Sequence, residues 1–308
     1  MLYDLIIIGG GPAGVSAGIY ASRKRLKTIF LTTEFGGQSS VSPSIENWIG
    51  TISLSGTELG ENLKKHLENY QGENLKIVEQ IKIEKIQKTT DGFKAIANNG
   101  QEYEGKTVLI STGSHRTKLT IPGAEEYEHK GITYCATCDA PMFEGKEVVV
   151  IGGGNAGFET ASQLLAYTKS VTILHHSPEF KADKITVDKI LANPNIKALK
   201  NAEITEVKGD KFVSSLTYLD KTTGETHELP AQGIFVEIGH QPETELVKDL
   251  VEINKGGAIV VDPQTQKTST VGIWAAGDCT NRLYHQNNIA AGDGIVALED
   301  IYKYLLQK

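Results

Sequence analysis

The sequence predicts an α/β protein built on parallel sheets and divided into two domains. Three observations predict it. Short apolar runs each lead directly into glycine, two of them open six-residue glycine motifs followed by helical periodicity, and the chain has 308 residues, where about 150 per domain is usual. The runs are Leu5 to Ile8 before Gly9, Val108 to Ile110 before Ser111-Thr112-Gly113, Val148 to Ile151 before Gly152, and Ile273 to Ala276 before Gly277-Asp278. β-Branched runs without polar alternation read as strands buried on both faces, the mark of a parallel sheet covered by helices. Val15 to Arg23 and Phe158 to Tyr167 carry apolar residues at helical spacing, so each glycine motif joins a strand to a helix. Lys76 to Ala97 and Ala202 to Glu228 alternate apolar and polar residues around Gly-containing turns and predict antiparallel hairpins. Gly292 to Leu306 is periodic and free of proline, which predicts a closing helix.

Composition narrows the function classes. The chain has 31 Lys and Arg against 38 Asp and Glu, a formal net charge of −7. A mildly acidic surface does not hold polyanions non-specifically, and no basic stripe points to nucleic acid. Apolar residues make up 39% of the chain, yet no run approaches the ~20 needed for a membrane span. Met1 to Ile8 lacks the charged start and cleavage site of a signal peptide. The expectation is a cytoplasmic globular protein without membrane or nucleic-acid partners.

Gly9, Gly11 and Gly14 follow a strand in the order G-x-G-x-x-G. The first glycine permits a tight turn, the second admits a pyrophosphate against the backbone, and the third lets helix and strand pack closely. The pyrophosphate then meets the free N–H groups and positive dipole end of the helix. Glu34 lies about 20 residues further on, just past a strand over Thr28 to Leu31, where a carboxylate accepts from a ribose hydroxyl; an ordinary surface glutamate is the alternative. Gly152, Gly154 and Gly157 repeat the pattern, so the chain contains two dinucleotide-binding units. The second strand of this later unit, Ser170 to Leu174, runs into His175, His176, Ser177, Pro178, Glu179, Phe180 and Lys181. No acid stands at the strand end for a free 2′-hydroxyl, and no paired arginines stand ready for a 2′-phosphate.

Cys135 and Cys138 form a Cys-x-x-Cys pair. Zinc would require further ligands, and neither Cys279 nor a spaced pair of histidines supplies them, so no metal is expected. A buried inert pair and a regulatory disulfide are alternatives. Two bound dinucleotides provide a route for electrons into the pair, which favours a catalytic dithiol exchanging with a disulfide. Asp139, next in sequence, is placed to protonate a departing thiolate, with a solvated loop aspartate as the alternative. Cys279 reads as a small buried residue. His115, Arg116 and Lys118 near the expected domain junction read as solvated charges, with hinge or partner contacts as the alternative.

At these residues the chain resembles the low-molecular-weight thioredoxin reductases. It is especially similar to the flavoprotein subunit of alkyl hydroperoxide reductase without its N-terminal domain. The likeness runs through Gly9 to Gly14, Phe35-Gly-Gly-Gln38, Ile45-Glu-Asn47, Ser111 to Gly113, Tyr134 to Asp139, Gly152 to Gly157, Ile238-Gly-His240 and Ala275 to Asp278. It implies two Rossmann-like domains of the three-layer ββα type, one inserted in the other. The outer domain, residues 1–116 plus 245–308, would bind FAD. The inserted domain, residues 117–244, would carry the Cys pair and a nicotinamide-type site. The implied FAD contacts are Gly9, Gly11, Pro12, Ala13, Gly14, Glu34, Gly37, Gln38, Asn47, Thr112, Gly113, Gly277, Asp278, His285, Gln286 and Asn287. Those for the nicotinamide nucleotide are Gly152, Gly154, Asn155, Gly157, His175, His176, Lys181 and Gly239. The resemblance also implies a homodimer whose domains rotate against each other. It makes Cys138 the flavin-proximal sulfur, Cys135 the attacker of a partner disulfide, and Asp139 the proton donor.

Two departures bear on the electron donor. The arginines with which such reductases grip the 2′-phosphate of NADPH are absent around His175-His176-Ser177 and Lys181, and the glutamate of the hydroperoxide reductase flavoprotein is replaced by His175. His285 also stands where an arginine is usual. NADH is therefore the expected donor, with NADPH and ferredoxin as alternatives. The expected substrate is a thioredoxin-like protein, and the rival class is a flavin-binding redox sensor.

Overall fold

The computed structural model describes residues 1–42 and 45–307. The chain separates into two compact units, Met1–His115 with His240–Lys308, and Arg116–Gly239. The first begins with β1 (Leu2–Gly10), α1 (Pro12–Arg23), β2 (Thr28–Phe35), α2 (Gly56–Glu68) and β3 (Leu75–Val78). Next come β4 (Ile83–Lys88), β5 (Phe93–Ala97), β6 (Glu102–Ile110) and the exit strand β7 (Ser114–Arg116). The second unit holds β8 (Ile132–Thr133), α3 (Ala136–Asp139), β9 (Glu147–Ile151), α4 (Asn155–Leu164), β10 (Ser170–Leu174), α5 (Lys184–Leu191) and β11 (Ile196–Leu199). It continues with β12 (Ala202–Gly209), β13 (Val213–Asp220), β14 (Thr226–Pro230) and β15 (Gly233–Val236). The chain returns through β16 (His240–Pro242), β17 (Ile273–Ala275) and α6 (Asn287–Leu306).

Both units stack helices, a parallel sheet and an antiparallel layer. In the first, the strand order among the described residues is β3-β2-β1-β6-β5-β4, with β17 also on β6. β6 serves two layers: Glu102 to Gly105 run antiparallel to β5, while Val108 to Ile110 run parallel to β17. Ile6 and Ile8 enter the core under the β4–β5 hairpin, and Leu5 and Ile7 enter the core under α1 and α6. The absence of polar alternation in β1 follows from this, because water reaches neither face. In the second unit the parallel order is β11-β10-β9-β15-β8, and β12-β13-β14 form a separate antiparallel sheet. Val149 and Ile151 face that sheet, and Val148 and Val150 face α4.

Two boundaries differ from expectation. Lys76 to Val78, expected within a hairpin, belong instead to a parallel edge strand on β2, Leu75–Val78; Leu75 is buried while Lys76 is exposed, and an edge strand with one covered face alternates in either pairing. The return to the first unit comes at His240, not near residue 245. The intervening residues belong with the first unit because Glu243 N–H donates to Gly113 O at 3.0 Å and its carbonyl accepts from Thr112 Oγ1 at 2.5 Å.

Candidate functional site

In the first unit, Gly9 has φ +120°, and a Cβ there would lie 2.1 Å from Ser111 O. At Gly14 it would lie 2.0 Å from Gly9 O. These two glycines serve packing. Gly11 differs: it is the N-cap of α1 with φ −78°, no side chain caps the helix, and a Cβ would meet nothing within 4 Å. An open, uncapped helix N-terminus at the carboxyl end of a strand fits a diphosphate. Pro12 takes the first helical position and sacrifices only an N–H that has no partner there. Ala13 packs under Gly294 of α6, where a Cβ would come 2.1 Å from Ala13 O. Glu34 is exposed near the end of β2, with its carbonyl beside Gly10.

Around this turn, segments far apart in sequence are joined by amides. Gln38 Nε2 donates to Ser114 O. Asn47 Nδ2 donates to Gln286 Oε1 at 3.1 Å, and Asn288 Nδ2 donates to Asn47 O at 2.7 Å. Ser39 Oγ donates to Asn287 Oδ1 at 2.9 Å. Gln38, Asn47, Gln286 and Asn287 are thus brought together, with Ser39, Ser114 and Asn288 added. Thr112, Gly113 (φ +72°), Gly277 (φ +78°) and Asp278 follow β6 and β17, neighbouring strands whose carboxyl ends adjoin. Gly37 has φ +58° and leads into the Gln38 turn. His285 Nε2 donates to Arg282 O at 2.9 Å, and its ring stands 4.6 Å from that of His240. Arg282 holds the buried carboxylate of Asp293 through Nε at 3.1 and 3.0 Å.

The second unit repeats the turn. Gly152 has φ +128° against Glu237 O, a Cβ at Gly157 would lie 1.9 Å from Gly152 O, and at Gly154, the uncapped start of α4, it would meet nothing within 4 Å. Asn155 fastens the next loop by donating to Asp183 Oδ2 at 3.1 Å and accepting from Asp183 N–H at 2.8 Å. His176 and Lys181 are exposed. His175 is not: its ring is buried, Nδ1 accepts from Gly153 N–H at 3.2 Å, and Nε2 donates to Glu179 O at 2.9 Å. Both nitrogens are therefore engaged inside the protein, which leaves no ring nitrogen for a nucleotide. Gly239 has φ +109°, is exposed, and accepts from Thr117 N–H at 3.0 Å.

β8, paired in parallel with β15, delivers the Cys pair to the same carboxyl edge of this sheet. Cys135 and Cys138 form a disulfide with Cα atoms 5.3 Å apart, and both are half-buried. Asp139 closes α3 beside them. Its Oδ2 accepts from Thr133 Oγ1, and Oδ1 is buried with no hydrogen-bond partner among the described residues. Burial raises its pKa, against the lowering effects of Thr133, His129 and Arg116. A carboxyl group so placed is biased to hold a proton. Glu237, at the end of β15, is a second carboxyl group raised by burial; it accepts from Thr160 Oγ1 at 2.9 Å and lies 3.5 Å from Arg116. Arg116 was expected to be a plain solvated charge, and the pairing with Glu237 has no signature in the sequence. Cys279 is buried and unpaired, its thiol pushed up to about 11 by burial.

A pyridine nucleotide-disulphide oxidoreductase family model matches residues 3–294. The chain belongs to this family. It is 40% identical over 305 residues to a protein of Bacillus subtilis (strain 168) named NADH dehydrogenase, covering 99% of this chain and 59% of that protein. It is equally similar, 40% over 305 residues with the same coverage, to an alkyl hydroperoxide reductase component of Staphylococcus aureus (strain MRSA252). The chain thus spans 59% of the length of these curated relatives. The crystal structure of thioredoxin reductase from Streptococcus pyogenes MGAS5005 superposes with a TM-score of 0.90 at 33% identity, covering 100% of this chain and 99% of that one. Thioredoxin reductase from Giardia duodenalis gives 0.91 at 32% identity, with 99% of each chain covered. This family member therefore has the two-unit Rossmann-like architecture of the thioredoxin reductases. Among the described residues, no helix is long and apolar enough to cross a membrane.

Proposed function

We propose that the chain is a flavin-dependent disulfide reductase, with FAD on the first unit and a pyridine nucleotide, NADH in preference to NADPH, on the second. Its disulfide passes an electron pair to the disulfide of a thioredoxin-like protein, and the family resemblance supports a homodimer. The observation that carries this reading is the Cys135–Cys138 disulfide, with the half-buried Asp139 beside it, on the sheet edge that also bears the second glycine turn. Gly11 and Gly154 supply the open, uncapped helix starts that two dinucleotides need. A bound flavin supplies two-electron transfer between a nucleotide and a dithiol.

The chain's own residues account for the thiol steps. Two electrons and two protons convert the Cys pair to thiols. Deprotonated Cys135 attacks one sulfur of the partner's disulfide, and the departing partner thiolate takes a proton from Asp139. Cys138, its proton passing to the Asp139 carboxylate, then displaces the partner from Cys135; the internal disulfide re-forms, and the partner's second thiolate takes up from solvent the proton that Cys135 released, so that the partner leaves as a dithiol. Preference for NADH rests on the exposed end of β10, which offers His176, Lys181 and Glu179 but no arginine. The relative named NADH dehydrogenase adds support.

The test is anaerobic mixing of the FAD-loaded protein with NADH or NADPH while the visible flavin absorbance is followed. NADH should bleach the flavin faster at equal concentration. Faster bleaching by NADPH refutes the donor assignment, and bleaching by neither directs attention to ferredoxin. Turnover of oxidised thioredoxin that survives Cys135→Ser refutes the role of the Cys pair.

A further inference from the structure

One imidazole ties the second glycine turn to the loop after β10. His175 is 4% exposed. Its ring lies against Gly153, where a Cβ would come 2.6 Å from His175 Cγ, and 5.7 Å from the ring of Phe180. The Glu179 carbonyl can only accept, so Nε2 carries the proton and Nδ1 is left bare to accept from Gly153 N–H. The main chain closes the same joint: Lys181 and Ala182 donate their N–H groups to Gly153 O at 2.8 and 3.2 Å. Gly153 stands between Gly152, with its φ of +128°, and the open Gly154, so the position of Gly154 N–H depends on this joint.

We propose that His175 is a positioning residue for the nucleotide of the second unit, and that it holds the glycine turn closed only as the neutral Nε2–H imidazole. The inference rests on the reading of that unit as a nucleotide site. A second proton can go only to Nδ1, where it would face the N–H of Gly153, donor against donor. The imidazolium would also be buried without a carboxylate. Lys181 on its own loop and Lys200 after β11 are cationic, the neighbouring His176 offers no negative charge, and Phe158 of α4 and Phe180 are apolar. Glu179 is turned outward to Lys200, 3.2 Å away, and Glu203 of β12 is paired with Lys221. Burial first, then these cations, hold His175 below the usual histidine range against the opposing hydrogen bond to Glu179 O. At neutral pH the turn is therefore closed, and acidification opens it. Because His175 acts on the turn and not on the ribose, NADH, NADPH and ADP-ribose should all lose affinity by the same factor.

Two measurements on the full chain decide the matter. ¹⁵N-histidine NMR should show His175 as the Nε2–H tautomer, titrating below the exposed histidines, with the Gly153 amide resonance shifting at the same midpoint. A ring in the Nδ1–H form, or a Gly153 amide that ignores the titration, overturns the inference whether or not a nucleotide binds. Calorimetric titration with NADH across the same range should show about a tenfold loss of affinity per pH unit below that midpoint, the slope for one linked proton. His175→Gln, whose amide can accept from Gly153 and donate to Glu179 O without titrating, should bind with no such slope, while His66→Gln, an exposed histidine of α2, should keep it. Parallel slopes for the wild type and His175→Gln also overturn the inference. Absence of nucleotide binding at every pH, together with the expected NMR titration, would instead refute the nucleotide reading of the unit.

Discussion

Replacing Gly11 and Gly14 separately by alanine should divide ligand binding from packing. A Cβ at Gly11 meets nothing within 4 Å, and its φ of −78° suits any L-residue. Alanine is a poorer N-cap than glycine, by up to about 1 kcal/mol. Against this, a stiffer unfolded chain returns roughly 0.4–1 kcal/mol. The apoprotein of Gly11→Ala should therefore unfold within about 1 kcal/mol of wild type. The new methyl group occupies the space where a diphosphate would approach, and loss of one charge-assisted hydrogen bond costs about 1.5–3 kcal/mol. That is roughly a 10- to 100-fold rise in Kd for FAD, at about 1.4 kcal/mol per tenfold. At Gly14 the methyl group would sit 2.0 Å from Gly9 O, a backbone atom with no rotamer to change. Overpacking of this kind costs about 1–3 kcal/mol or more, so Gly14→Ala should destabilise the apoprotein itself. Urea unfolding of the apoproteins and FAD titration followed by flavin absorbance measure the two effects. A Gly11→Ala apoprotein as unstable as Gly14→Ala, or one that binds FAD as tightly as wild type, would refute the reasoning.

Further outcomes follow from the polar and thiol groups. Asp139→Asn should slow reduction of a protein disulfide about 10²- to 10⁴-fold by removing the proton donor, read by single-turnover kinetics. Thr133→Val removes the hydrogen bond that favours ionised Asp139, so the alkaline limb of the rate profile should move to higher pH; a downward move contradicts the assignment. The linkage has the matching sign. With its folded pKa raised, Asp139 contributes stability that is present below its ordinary value of 3.8 and is lost as pH rises through the folded value. Asp139→Asn should therefore flatten stability against pH over that window in denaturant titrations. Reduced native protein should be alkylated at Cys135 and Cys138 but not at Cys279, which is buried with its thiol pushed up to about 11; mass spectrometry of labelled peptides checks this. Asp293→Ala removes the charge-assisted hydrogen bonds of the partly exposed Arg282 and should cost about 1.5–3 kcal/mol, a fall in Tm of roughly 3–12 °C for a unit of this size. The double variant Arg282→Met with Asp293→Leu should recover most of that loss in calorimetry.

The glycine turns were legible because their cause is local. Gly9 and Gly152 need left-handed backbone, Gly14 and Gly157 need the absence of a side chain, and all four stand at fixed distances from their strands. The Cys pair was legible for the same reason, since Cys-x-x-Cys on one turn brings its own sulfurs together. His175 was not. The sequence placed it at the end of the second strand, where a side chain reaching the ribose is expected, and nothing nearby in sequence says that Gly153, 22 residues earlier, would claim Nδ1. Leu75–Val78 misled for a related reason, because alternation reports which faces are covered and not the direction of the neighbouring strand. The Arg282–Asp293 pair and the bonds of Asn47 and Asn288 across 241 residues left no periodic trace at all.

The sequence by itself determined the fold family, the two strand–turn–helix units and the residues capable of redox chemistry. These rest on steric exclusion and on spacing along one chain segment, which neighbouring residues settle among themselves. Only the tertiary structure decided which of the polar groups are free to meet a ligand and which are already engaged. It turned His175 inward, left one oxygen of Asp139 buried without a partner and set Glu237 beside Arg116. Protonation and hydrogen bonding depend on burial and on neighbours from distant segments, and those neighbours exist only once the sheets have formed.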